Sequence, residues 1–407
     1  MPQAGHMTRW SVRQAPVPAT VEDPAAWAVH GACRAHAAVH RDLFGHADAA
    51  WRPTEVAAML GERPYERTVL LVAVRAEAAG DADAVVGAAL VQVPTQDNPH
   101  LAFAEPWVDP RGRGQGAGDA LVAAVEGVAR AEGRRTVILM STHREPGPGV
   151  AEHAARSGAG GVPAADAGTR LAAGRGYGLE QVERFSTFAL PLDGAAAAAV
   201  RSAYGAAARA AGPDYELVAW TGPTPDALLD QMAVLRTRMS TDVPTADLAV
   251  EEEPWDAARV RAHDAEVAEE GRVQAVVAAR HRPTGALVAF TVVEQPVAVP
   301  EVAYQQDTLV VQGHRGHRLG MLVKTAQLLR LGDAFPGLRR LHTWNAQENA
   351  HMLAINVELG FTPTGVLGMW QRDPPDPAGA DGADGGPSDR RAEGDGSARA
   401  DGDPLGE

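Results

Sequence analysis

Two blocks of the chain carry the same succession of apolar runs. In the first, Thr68–Arg75 (TVLLVAVR), Ala84–Pro94 (AVVGAALVQVP) and His100–Pro110 (HLAFAEPWVDP) are β-branched and apolar over strand lengths and are separated by turn residues. A glycine-rich turn follows, then a helical pattern from about Ala117 to Ala131, a strand Thr136–Ser141, and a short helix leading into Gly176-Tyr177. The second block repeats that order: strands Arg272–Arg280, Ala286–Glu294 and Ala303–Val311, a turn, a helix from about Leu319 to Leu331, a strand Arg340–Trp344, and a helix Asn349–Leu359 ending at Gly360-Phe361. Setting Arg113 on Arg315 also sets Glu105 on Asp307, Val108 on Val310 and Gly118 on Gly320, a constant offset of 202 positions. An internal duplication is the simplest source of such a match. The pattern predicts two α/β domains in tandem, each a twisted mixed sheet with helices on both faces.

Two stretches interrupt this pattern. Glu145–Gly168 is rich in Gly, Ala and Pro and reads as a loop insertion, while Asp193–Pro213 is alanine-rich, ends in Gly-Pro, and reads as a helical linker. The expected organisation is therefore a first domain over 8–195 with an insertion at about 145–168, a linker over 196–213, and a second domain over 214–372. From Asp373 to Glu407 ten acidic residues face three arginines, so this segment supplies −7 of the formal charge of −15. Its Gly, Ala, Asp and Pro cannot bury enough surface to offset the entropy of ordering, which predicts a disordered acidic tail over 373–407.

Composition adds exclusions. The net charge of −15 repels phosphate and argues against nucleic acid or an anionic membrane as partner. Cys33, the single cysteine, has no partner for an internal disulfide, and no Cys/His cluster suggests a metal. With no basic-then-apolar leader and no run of the roughly 18 apolar residues that a membrane helix needs, a soluble cytoplasmic protein is expected.

The glycine turn carries the first chemical signal. A Walker phosphate loop fails, because no Gly-Lys-Ser/Thr follows. Gly112-Arg-Gly-Gln-Gly-Ala117 satisfies G-x-G-x-x-A, the dinucleotide fingerprint, but the next strand ends Leu139-Met-Ser-Thr142 without the acidic residue that would hold a ribose. A third reading is a cradle for the pyrophosphate of an acyl-CoA, built from backbone N–H groups at a helix N-terminus. A glycine turn packed for geometry alone stands beside all three.

The wider context favours the third. Val108-Asp-Pro-Arg-Gly-Arg-Gly-Gln-Gly-Ala-Gly-Asp-Ala-Leu121 matches V-x-P-x-x-R-G-x-G-x-G-x-x-L throughout. In this the chain resembles the GNAT superfamily of acyl-CoA-dependent N-acyltransferases, and over roughly 8–372 it resembles the tandem-domain members such as mycothiol synthases and related actinobacterial acetyltransferases. The resemblance implies acetyl-CoA as co-substrate, held in the first half by Val108, Arg113, Gly114, Gln115, Gly116, Ala117 and Gly118. In the second half it implies Val310, Arg315, Gly316, His317, Arg318, Leu319 and Gly320, although Arg318 stands where the central glycine belongs. That half has the better second signature, Asn349-x-x-Met352-x-x-x-Asn356-x-x-x-Gly360-Phe361, in which Asn349 would hold the cofactor arm or cap the helix.

The same resemblance implies direct attack of a neutral amine on the thioester. Glu105 and Asp307, at equivalent places before the cofactor-facing end of their strands, are the candidates for general base, each also readable as a solvated strand-end carboxylate. The tyrosine that members use as general acid is replaced by Ala172 in the first half and Asn356 in the second, which leaves water or Tyr304. Catalysis is expected in the second half. Met239–Pro244 and Glu251–Asp256 read either as acceptor-pocket polar groups or as helix caps, and Trp344 as a site wall or a buried core residue. The function expected is acetyl transfer to an amine of a small molecule or peptide. An acyl-CoA-binding sensor is the alternative, and an oxidoreductase the third option.

Overall fold

In a computed structural model, residues 10–75, 78 and 80–372 are described. The expected acidic tail lies outside them, as do the first residues of the expected first domain. The first half runs β1 (Ser11–Gln14), α1 (Trp27–Phe44), α2 (Pro53–Met59), β2 (Gly61–Glu62), β3 (Glu66–Val74), β4 (Gly87–Pro94), β5 (Leu101–Val108), α3 (Ala117–Ala131) and β6 (Thr136–Arg144). It continues through β7 (Glu152–Ala154), β8 (Gly161–Pro163), α4 (Ala167–Gly174) and β9 (Gly178–Ala189). The second half follows as α5 (Gly194–Ala211), β10 (Tyr215–Thr221), α6 (Leu229–Asp242), α7 (Ala257–Glu269), β11 (Arg272–His281), β12 (Leu287–Pro296) and β13 (Val302–Val310). It closes with α8 (Leu319–Ala334), β14 (Arg340–Ala346), α9 (Ala350–Leu359) and β15 (Thr362–Arg372).

The two expected sheets are one. The strands follow the order β1-β3-β4-β5-β6-β15-β9-β14-β13-β12-β11-β10, with β2 on β3. Neighbours are antiparallel except β5 with β6 and β13 with β14, the matching pair in each half. At the centre the closing strands are exchanged: β9, from the first half, pairs with β14 of the second, and β15, from the second, pairs with β6 of the first. β9 and β15 also pair with each other. Left alone, β6 and β14 would each end their half on an unpaired edge of N–H and C=O groups, and the exchange satisfies both edges at once. The expected division near residue 200 therefore separates the helices and not the sheet.

Each half nevertheless has helices on both faces. In the first, α1 packs Ala28, Ala32 and Ala35 against Leu70, Leu90 and Trp107 on one face, and α3 packs Leu121, Val122 and Val125 against Val91, Leu139 and the exchanged Trp370 on the other. In the second, Leu235 of α6 and Val260 of α7 meet Val276 and Phe290, and α8 and α9 cover the opposite face with Val323, Leu328 and Ile355. The segment expected as a linker is helical, α5, but its Val200, Ala207 and Ala211 are buried in the second half's core, so it belongs to that half and is no tether. The expected insertion folds as the β7–β8 hairpin, ahead of Asp166, which caps α4 through Ala167 N.

Candidate functional site

β5 and β6 pair only over Leu101–Ala104 and Thr136–Leu139. Beyond those residues β5 stays on β4 as far as Val108, while β6 stays on β15 as far as Arg144. The two strands are thus held by different neighbours and part, leaving a slot between Glu105–Val108 and Met140–His143. A cleft of about 330 Å³ runs from this slot to the glycine turn and is lined by Val108, Arg113, Gly114, Gly116, Ala117 and Gly118.

The turn suits an anion. Gly116, the N-cap of α3, has φ 85° and no side chain to occupy the helix's first N–H groups, and a Cβ placed there would meet open space. The third glycine also serves packing, because a Cβ at Gly118 would lie 3.0 Å from Leu171 Cδ2, so Gly118 allows α3 to approach α4 closely. Gln115 contributes through its backbone, its carbonyl accepting from Trp10 Nε1 at 2.7 Å, and its side chain is not among the cleft walls. Arg113 is held by Asp42 at 2.8 Å.

In the second half Arg318 takes the left-handed conformation of Gly116, with φ 54°, and pairs with Glu358 at 3.0 Å. A non-glycine residue held in that region is strained, and here the carboxylate of α9 stands beside the helix start. Arg315 donates to the carbonyls of Val310 and Asp242, Gly316 keeps φ 87°, and His317 lies against Tyr215 with ring centroids 5.4 Å apart. Leu319 is buried, and Gly320 again allows close helix packing, since a Cβ there would fall 3.3 Å from Ile355 Cδ1. Asn349 caps α9, its Oδ1 accepting from Met352 N at 3.2 Å.

The two base candidates differ sharply. Trp51 N donates to His36 Nδ1 at 3.0 Å, so that nitrogen is an acceptor and the ring proton sits on Nε2, 3.2 Å from Glu105 Oε1. Trp51 Nε1 donates to the other oxygen, Oε2, at 2.8 Å. Burial pushes the Glu105 carboxyl up, but His36 beside it and the hydrogen bonds from His36 and Trp51 more than offset this and hold it below its ordinary value. Glu105 is a carboxylate with a lone pair free on each oxygen. Asp307, by contrast, is paired with Arg236, whose guanidinium lies 5.5 Å from the Phe290 centroid and 5.6 Å from that of Trp255. That carboxylate is already neutralised.

A second cavity of about 220 Å³ meets the cleft at His36, Glu105, Met140 and Thr142. It lies where the halves join, with Phe44 and Trp51 from the first half, Phe185 from β9, and Tyr304 and Trp344 from the second half among its walls. Phe185 and Trp344 stack with centroids 4.8 Å apart, so Trp344 is a site wall. His40, also in the wall, is 4% exposed, and neither ring nitrogen has a hydrogen-bond partner. Tyr304 is not a free acid: its hydroxyl donates to the Asp48 carbonyl at 2.7 Å and accepts from Arg52 at 2.9 Å. In the polar stretches Met239–Pro244 and Glu251–Asp256, Asp256 caps α7 through Arg259 N and Ser240 Oγ accepts from Glu253 N, which is cap and loop chemistry. Sequence reasoning missed His36, His40 and Trp51; the one signal was two histidines four apart on the small-residue face of α1.

Among the described residues no group of His, Cys, Asp or Glu is placed to hold a metal, and no helix is long and apolar enough to cross a membrane. Residues 37–147 match the acetyltransferase (GNAT) family, a span that holds Glu105 and the glycine turn. In fold the chain is similar to a tandem GNAT protein from the clavulanic acid biosynthesis pathway, with TM-score 0.64 and 22% identity over 90% of this chain and 100% of that one. It is also similar to a GCN5-related N-acetyltransferase from Sphaerobacter thermophilus, with TM-score 0.53 and 16% identity over 90% and 96% of the two chains. No curated protein sequence matches it.

Proposed function

We propose that the chain, whose residues 37–147 match the GNAT acetyltransferase family and whose fold is similar to that of a tandem GNAT protein, moves an acetyl group from acetyl-CoA to the amine of a small molecule, at a site in the first half. The observation that carries the proposal is the meeting of two cavities at Glu105: a cleft reaching the anion-suited turn, and a chamber walled by aromatic side chains. Arg113 and the N–H groups of Gly114 through Gly118 would hold the pyrophosphate. Glu105 would take the proton of the incoming ammonium or amine, its carboxylate kept charged by His36 and Trp51. The walls of Phe44, Trp51, Phe185 and Trp344 suit an amine carried on an apolar or aromatic body. The second half would supply walls to the site, with its own carboxylate held by Arg236.

A sensor that binds acyl-CoA without turnover is the second reading, favoured by Ala172, which is buried in the core and supplies no phenol. Calorimetric titration with acetyl-CoA tests the first reading: one site per chain is expected, lost in Gly116→Arg and kept in Asp307→Asn. Release of free thiol with a panel of amines separates an enzyme from a sensor. Two equal sites, or none, would overturn the assignment to the first half.

A further inference from the structure

The cleft contains a hydrogen-bonded chain that the acetyl-transfer reading does not use. Along β6 side chains alternate, so Met140 and Thr142 reach the acceptor chamber while Ser141 and His143 line only the cleft, on the side of α3 and α4. Ser141 Oγ lies 2.7 Å from His143 Nε2, and His143 Nδ1 lies 2.8 Å from Asp166 Oδ2. Trp370 Nε1, on the exchanged strand β15, donates to Ser141 Oγ at 2.7 Å. His143 is buried, and Asp166 is fixed as the cap of α4.

We infer that Ser141, His143 and Asp166 deliver a proton to the departing CoA thiolate, supplying the general acid that Ala172 cannot. The inference rests on the acetyl-transfer reading above. The donor and acceptor count gives the direction. The hydrogen bond from His143, ahead of burial, holds the Asp166 carboxyl below its ordinary value, so Asp166 accepts and His143 Nδ1 carries a proton. Ser141 Oγ has two lone pairs, one taken by Trp370. When His143 is doubly protonated its Nε2–H fills the other, and the serine hydrogen is left for the cleft. Glu105 takes a proton from the amine as its nitrogen bonds to the carbonyl carbon. The C–S bond then breaks, its electron pair stays on sulfur, Ser141 gives that sulfur its proton, and His143 Nε2 replaces it, leaving His143 neutral until it regains a proton from solvent. When His143 is neutral, Ser141 instead donates to Nε2, the arrangement of an activated serine nucleophile.

The charged and titratable groups around His143 are Asp166 and Arg170 from α4, Arg113 from the turn, Asp119 from α3, and His153 of the hairpin, whose ring lies 5.2 Å from that of Trp370. The test uses the full chain with acetyl-CoA and hydroxylamine as acceptor, following thiol release across pH, with acetyl-CoA binding measured in parallel by calorimetry. Ser141→Ala is expected to bind acetyl-CoA as the parent does and to lose about 100-fold in turnover, while Ser141→Cys, which keeps a donor, retains more. Asp166→Asn, which removes the carboxylate that accepts from His143 Nδ1, is expected to lower turnover while acetyl-CoA binding stays as in the parent. Unchanged turnover in Ser141→Ala or in Asp166→Asn overturns the inference and leaves acetyl transfer standing. An acetyl group found on Ser141 by intact mass when the acceptor is omitted overturns it in favour of a covalent route. Failure of the parent to bind acetyl-CoA overturns both readings.

Discussion

Lys324, the chain's only lysine, sits on the buried face of α8 with 1% of its surface exposed, its Nζ 5.4 Å from the centroid of Phe361. Burial pushes its ammonium down from the ordinary lysine range to about 7. The unfolded chain, with a lysine near 10.4, then holds one more proton than the folded chain through the window from about 7 to 10. Stability must rise with pH wherever the unfolded state binds more protons. Integrated between pH 7 and pH 9, the single site contributes about 2 kcal/mol of added stability. Lys324→Met keeps the length and apolar body of the side chain and removes the titration. Urea unfolding of parent and variant at pH 7, 8 and 9 should show the variant more stable at pH 7 and the difference shrinking by about 2 kcal/mol by pH 9. Parallel stability curves would refute the reasoning, and a variant less stable at pH 7 would mean that Lys324 is held by contacts which offset its burial.

Other outcomes follow from the site. Glu105→Gln should lower kcat/KM by about 10²- to 10⁴-fold with acetyl-CoA binding retained in calorimetry. Trp51→Phe removes the donor on Oε2, so the carboxyl of Glu105 should rise and the acid limb of kcat/KM should move to higher pH. Asp307→Asn should leave turnover unchanged while costing about 1–3 kcal/mol in urea unfolding, because Arg236 loses its carboxylate. A chain ending at Phe361 lacks β15 and leaves β6 and β9 unpaired along that edge, so it should fail to give a cooperative unfolding transition.

The elements were legible because each half buries its strands on both faces, which writes continuous apolar runs such as Val69–Val74 into the sequence. The duplication was legible for the same reason, since both copies had to keep a strand, a turn and a helix start in register. The exchange of β9 and β15 was not. Strand pairing is made by backbone groups, so nothing in Gly178–Ala189 names its partner. The glycine turn announced itself by composition, and the packing of Gly118 on Leu171 and the capping of α9 by Asn349 are roles that stand beside the cofactor contacts expected of them. His36 and Trp51 were invisible because they lie 69 and 54 positions from Glu105, and only the fold brings them to one carboxylate. The expectation of catalysis in the second half came from the Asn349 spacing, a local signal, whereas the neutralisation of Asp307 by Arg236 across 71 positions is a tertiary one.

The exchange also gives a reason why a duplicated chain would work with unequal halves. Because β9 and β15 lie between β6 and β14, the slot beside β6 opens toward residues of the other half, and Tyr304 and Trp344 become walls of the chamber at Glu105. Trp370, delivered by β15, likewise reaches Ser141 on β6. The second half is thus bound to the first half's site through its own strands, whatever becomes of its own carboxylate. With Asp307 paired to Arg236, the strands of the second half still wall the chamber at Glu105, and removing them would remove the walls on which acceptor recognition is proposed to depend.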